Sequence, residues 1–131
     1  MTGAPAPAVR QPERIELAPG LEVSRLVTGL WQVADIERKQ GPLDPGVAAG
    51  HLAAYAQAGF TSFDMADHYG SAEIIAGALR AAGTHRIQTF TKWCPQPGEM
   101  TRAVVREGIG RSLERLRTSR IDLLQFHWWT F

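Results

Sequence analysis

Four short apolar segments, 26–33, 60–64, 86–92 and 121–127, alternate along this chain with three stretches of helical periodicity. A strand, a crossover helix and a second strand pack with one hand, the strands parallel and the helices laid over the sheet. Local signals agree with that order. Asp44-Pro45 offers a capping carboxylate and a proline at the first helical position, and Val47, His51, Leu52, Tyr55 and Ala58 recur at helical spacing until Gly59. Ser71 is placed to cap a second helix whose apolar side is Ile74, Ile75, Ala78, Leu79 and Ala82, ended by Gly83. A third helix, 100–117, turns Val105, Ile109, Leu113 and Leu116 inward and leaves Arg111, Arg115, Arg117 and Arg120 to solvent. Ahead of these, segments 14–17 and 21–23 flank Ala18-Pro19-Gly20 as a hairpin, and residues 1–13 read as a flexible tail. Two α/β architectures satisfy this order: an open doubly wound sheet, or part of a (β/α)8 barrel. A complete barrel takes about 250 residues, and this chain has 131.

Three of the apolar strands close on a side chain able to do chemistry: Asp64, Lys92 and His127. The carboxyl ends of parallel strands are where such folds build their sites. Alternation along a strand puts Asp64 on the face of Ser62, Lys92 on that of Gln88 and Phe90, and His127 on that of Gln125. Each terminal group thus shares its face with another polar residue, which suits a common inward face opening on a polar mouth. Tyr69 lies in the short loop 65–70, between the second strand and its helix, and would hang over the same mouth.

A phenol, with an ordinary pKa of about 10, is a weak acid at neutral pH. A neighbouring ammonium favours its ionised form, a carboxylate holds the ammonium in place, and a neutral imidazole can orient a carbonyl oxygen. Together these groups make a general acid aimed at a carbonyl oxygen while hydride reaches the carbon. No side chain supplies hydride, so a cofactor must. The lysine stands out for a further reason: of fourteen basic residues, Lys39 and Lys92 alone are not arginine. Lysine is the compact, tunable charge of the two.

Composition narrows the partners. A net charge of +1 with scattered basic residues argues against nucleic acid or an anionic membrane as a partner. No apolar run approaches the roughly 20 residues of a membrane span. Cys94 is the one cysteine, so disulfides and cysteine-based metal sites are excluded, and a reducing, cytoplasmic setting is expected. Asp64, Asp67, His68 and His127 could be drawn as a metal-dependent hydrolase site, but their spacing matches no ligand motif, and no metal is expected. Cys94 has no assigned base to make it a nucleophile. Gly108-Ile109-Gly110 falls within the third helix rather than after a strand, so it is no phosphate loop.

Three motifs carry a family resemblance. The run from Phe63-Asp64-Met65 through Tyr69-Gly70-Ser71-Ala72-Glu73 resembles the aldo-keto reductase signature, with aspartate and tyrosine five apart. Thr91-Lys92-Trp93 resembles that family's lysine strand, and 111–116 with 121–128 resembles the helix and strand leading to its histidine. The resemblance implies the N-terminal half of a (β/α)8 barrel, with four parallel strands, three helices and a hairpin closing the bottom. It implies Tyr69 as proton donor, with Asp64, Lys92 and His127 completing a catalytic tetrad. Trp31 and Asp64 would lie by the nicotinamide of NADP(H), and Trp31, Trp93 and Trp128 would wall the pocket for a small-molecule aldehyde or ketone. Members are about twice this length, so residues 14–131 are expected as a partial barrel with an incomplete cofactor site. Open sheet edges would permit self-association. The alternative is a binding or regulatory module that keeps the fold without turnover.

Overall fold

The computed structural model describes residues 10–34, 41 and 43–127. An antiparallel hairpin, β1 (Arg14–Ala18) and β2 (Leu21–Ser24), turns at Pro19-Gly20. Gly20 has φ +78°, a conformation costly for other residues. Then follow β3 (Thr28–Gly29), α1 (Pro45–Gln57), β4 (Ser62–Asp64), α2 (Ala72–Ala81), β5 (Gln88–Trp93), α3 (Arg102–Arg115) and β6 (Leu123–Phe126). The last four strands form one parallel sheet in the order β3-β4-β5-β6. Strands adjacent in sequence are adjacent in space, as in a barrel wall. An open doubly wound sheet would reverse its order at a switch point.

The first parallel strand is shorter than the sequence implies. Leu26 is 65% exposed and Val27 43%, and only Thr28 and Gly29 pair with β4 before the chain turns at Trp31. Of the expected tail, residues 10–13 are described. Gln11 and Pro12 lie so close to Gly59 that a side chain there would overlap them. Arg25 N–H donates to the Glu13 carbonyl at 2.7 Å, so this stretch is tied down.

One face of the sheet carries the main core, where Leu30, Phe63, Met65 and Ile87 meet Ala49, Leu52 and Ala56 of α1 and Ile75, Ala76 and Leu79 of α2. Each helix buries part of the expected stripe, Leu52 of α1, Ile75 and Leu79 of α2 and Leu116 at the end of α3, but not all of it. Val47 and Tyr55 of α1 and Ile74 of α2 are exposed, while alanines are buried beside them. In α3 the buried residues are Gly108 and Ser112, with Leu116 at its C-terminal cap, and Val105 is exposed. The reason is distance: a Cβ on Gly77 of α2 would overlap the Arg115 carbonyl oxygen, and one on Gly108 would overlap the indole of Trp93. Close backbone approach selects small residues over bulky ones.

The helix caps differ from one another. The Asp44 carboxylate accepts from Val47 N–H at 3.0 Å and Thr101 Oγ1 from Val104 N–H at 3.3 Å. Ser71 precedes α2 but makes no capping bond, and its buried hydroxyl has no partner among the described residues. Asp44→Ala is therefore expected to cost about 1 kcal/mol in urea unfolding, and Ser71→Ala close to nothing. Equal losses from the two would contradict this assignment.

Candidate active site

The sheet alternates as its residues suggest. Thr89, Thr91 and Trp93 turn toward the helices: Thr91 Oγ1 donates to Glu73 of α2 at 2.7 Å, and Trp93 lies on Gly108 of α3. The intervening Gln88, Phe90 and Lys92 take the other face. There Ser62 Oγ donates to Gln88 at 3.1 Å near the amino ends of the strands, and Lys92 meets Asp64 at their carboxyl ends. Parallel registration sets Asp64 beside Phe90 and Lys92 beside Gln125.

Lys92 Nζ donates to Asp64 Oδ2 at 2.6 Å and to the Met65 carbonyl at 2.9 Å. An ammonium has three donors, and these bonds use two. The pair is largely enclosed, with 17% of the lysine side chain and 34% of the aspartate side chain exposed. The same Nζ stands 5.1 Å from the centroid of the Tyr69 ring. Trp31 meets Tyr69 edge-on at 4.6 Å, and His68 meets it edge-on at 5.0 Å. His68 in turn lies 5.4 Å from the ring of His127. Asp64, Lys92, Tyr69, His127 and Trp31 thus gather at one rim, from four strand ends and one loop.

The loop bearing Tyr69 is pinned from below. Met65 N–H donates to the Phe90 carbonyl and Asp67 N–H to that of Lys92, each at 2.9 Å, extending the β4–β5 pairing beyond β4 itself. Asp67 Oδ2 accepts from Cys94 N–H at 3.2 Å, and Asp67 Oδ1 lies 2.9 Å from His68 Nδ1. His127 N–H donates to the Trp93 carbonyl at 2.8 Å, fixing the end of β6 at the same height.

Trp93 does not join the rim. One position after Lys92, it points to the helix layer, where its indole packs on Gly108 and edge-on to Phe126 at 5.7 Å. The expectation that it walls a carbonyl pocket is corrected by strand parity. Trp128 lies outside the described residues. Among the described residues no three His, Cys, Asp or Glu side chains converge as a metal site, and no helix is long and apolar enough to cross a membrane.

Two features of the rim were not legible beforehand. His68 bridges Tyr69 and His127, a contact that depends on how the loop folds. Arg115, expected on a solvated face, reaches the Asp67 carbonyl at 3.0 Å and lies 3.4 Å from buried Glu73. The signal for it was the spacing of Gly108, Ser112 and Arg115 along one side of α3.

Comparison with known proteins agrees with this architecture. The aldo/keto reductase family model matches residues 25–131. The chain is 32% identical over 136 aligned positions to the 6-dehydroglucose reductase of Agrobacterium fabrum, covering 88% of this chain and 43% of that protein. It is 30% identical over 119 positions to the aldo-keto reductase YhdN of Bacillus subtilis, covering 83% and 35%. It therefore spans less than half the length of either relative. Among solved structures, the aldo-keto reductase of Klebsiella pneumoniae in complex with NADPH superposes with a TM-score of 0.72 at 20% identity, covering 93% of this chain and 41% of that one. With its strand order, its hairpin and a family match over most of its length, the chain belongs to the aldo/keto reductase family and forms part of a (β/α)8 barrel.

Proposed function

We propose that this chain carries the proton-donating side of an NADPH-dependent carbonyl reductase acting on an aldehyde or ketone, or running in reverse. One observation supports the reading above the others: a lysine ammonium, clamped by Asp64 and the Met65 carbonyl, stands beside the ring of Tyr69. In this reading Tyr69 gives its proton to the carbonyl oxygen, and the ammonium stabilises the phenolate left behind. Asp64 holds the ammonium at that height. His127, at the end of the neighbouring strand, orients the carbonyl oxygen.

The residues present fit the nicotinamide end of the cofactor. Trp31, edge-on to Tyr69, supplies an aromatic wall, and the Asp64 carboxylate beside it supplies an acceptor for an amide N–H. NADPH, when bound, supplies the hydride that reaches the carbonyl carbon. The remainder of the dinucleotide would be held by strands that close the barrel. Among the described residues β3 and β6 each pair on one side only. A cytoplasmic setting accords with this reading, since NADPH and a free thiol both belong there.

The test is carbonyl-dependent NADPH oxidation by the chain joined to strands that complete the barrel. The 131-residue chain alone is expected to show none. In the completed barrel Lys92→Met is expected to lower turnover by about 10²-fold. Oxidation that ignores the added carbonyl, or a Lys92→Met variant as fast as the parent, would overturn the proposal.

A further inference from the structure

Glu73 is 1% exposed, an ionisable carboxylate in the first turn of α2 with its side chain inside the molecule. Burial of such a group is unfavourable unless it is paired and hydrogen-bonded. Here Oε1 accepts from Thr91 Oγ1 at 2.7 Å, and Oε2 lies 3.4 Å from Arg115 Nη1. The second distance is long for a hydrogen bond, so that contact works chiefly through charge. The same nitrogen donates at 3.0 Å to the carbonyl of Asp67, two residues before Tyr69. Arg115 stands at the last turn of α3, whose backbone is pressed against Gly77 of α2. Its root is therefore fixed, and the guanidinium spans from the helix layer to the loop over the strand ends.

We propose that Arg115, anchored by the buried Glu73 carboxylate, is a positioning residue that holds the Tyr69 loop at its height above Lys92. Asp67 is the point where the loop is gripped from three sides: by Lys92 through its amide, by Cys94 through its carboxylate, and by Arg115 through its carbonyl. The first two grips come from β5 and from the residue that follows it, Cys94. The third comes from the helix layer and fixes the loop against movement away from the sheet. The guanidinium suits the task because it is always charged and its Nη1, with two N–H groups, can face both acceptors at once. The placement of Tyr69 relative to Lys92 is then set in part by a carboxylate that touches neither. The role in catalysis rests on the reading of Tyr69 as proton donor; the role in placing the loop does not.

The experiment therefore has two arms. Amide hydrogen exchange in the 131-residue chain reads the loop directly. In Arg115→Ala and in Glu73→Gln, the amides of Asp67 and Tyr69 are expected to exchange at least about tenfold faster than in the parent. Those of Leu79 in α2 and Thr89 in β5 should stay within about twofold. Glu73→Gln keeps the shape of the side chain and removes its charge, so it serves if Arg115→Ala fails to fold. The close approach of the Trp31 and Tyr69 rings, read as a nuclear Overhauser contact, should be lost with the loop. Loop amides that do not change, or core amides that accelerate in parallel with them, would overturn the proposal in favour of plain helix packing. In the completed barrel the same variants should lower kcat by about tenfold with little change in KM. No turnover in the parent would sink the reductase reading and leave the exchange result to decide the placement of the loop.

Discussion

Gly77→Ala is expected to destabilise the chain by about 2 kcal/mol or more, against the usual benefit of alanine in a helix. Replacing glycine by alanine inside a helix gains about 1 kcal/mol where space allows. At Gly77 it does not: the new methyl would overlap the carbonyl oxygen of Arg115 and crowd the backbone of Leu116. Neither neighbour is a flexible side-chain end. α2 and α3 would have to separate, and overpacking of this kind costs about 1–3 kcal/mol, at the upper end where backbone is struck. Gly110→Ala supplies the contrast, because that position in α3 has open space around it. It should gain up to about 1 kcal/mol. Urea unfolding of both variants settles the matter, and a Gly77→Ala chain as stable as the parent would show that the two helices are not in the contact described.

Tyr69→Phe should lower carbonyl reduction by the completed barrel about 10²- to 10⁴-fold, the span of a lost general acid. The substitution removes one oxygen and keeps the ring. That ring packs edge-on with Trp31 and His68 and lies against the main core. The melting transition and the binding of NADPH should therefore stay close to those of the parent. Loss of turnover with an intact fold would separate chemistry from structure. A variant that keeps its rate within about threefold would remove Tyr69 as the acid, with Lys92 and Asp64 then left as a structural pair.

The sequence carried the topology because its signals were local. Pro19-Gly20, Asp44-Pro45, Gly59 and Gly83 each mark a turn or a helix end through their own backbone preferences, and the structure places boundaries at all of them. Alternation within β4 and β5 likewise put Asp64 and Lys92 on one face without knowledge of their partners. The same rule, applied one residue further, would have turned Trp93 to the helices. Helix faces were read less well. Leu52, Ile75, Leu79 and Leu116 lie inward as their spacing suggests, but Ala49, Ala56, Gly77, Gly108 and Ser112 share the inner side while Val47, Tyr55, Ile74 and Val105 are exposed. The spacing between helix axes is a tertiary quantity, set by what lies across the interface, and it decides whether a small residue is filler or a contact. That misreading hid Arg115. A stripe drawn through Val105 and Ile109 puts Arg115 in solvent, while one drawn through Gly108 and Ser112 leads to the tyrosine loop. The first parallel strand failed for a related reason, since Leu26 and Val27 have the residue types of a strand but lie outside the sheet.

At the end of the sheet away from the rim, hairpin and wall are joined by side chains rather than by a continued ladder. Ser24 and Ser62 exchange bonds between amide and hydroxyl at 3.0 and 3.2 Å, Thr61 and Ser62 both donate to Gln88, and Arg14 donates to Thr61. None of these atoms belongs to the rim where Asp64, Lys92, Tyr69 and His127 gather. The floor can therefore be tightened, loosened or fitted with a tether while the business end keeps its geometry, and the loops above can diversify over a base that does not register the change. For anyone wishing to anchor this protein to a surface without blunting it, the hairpin is the handle.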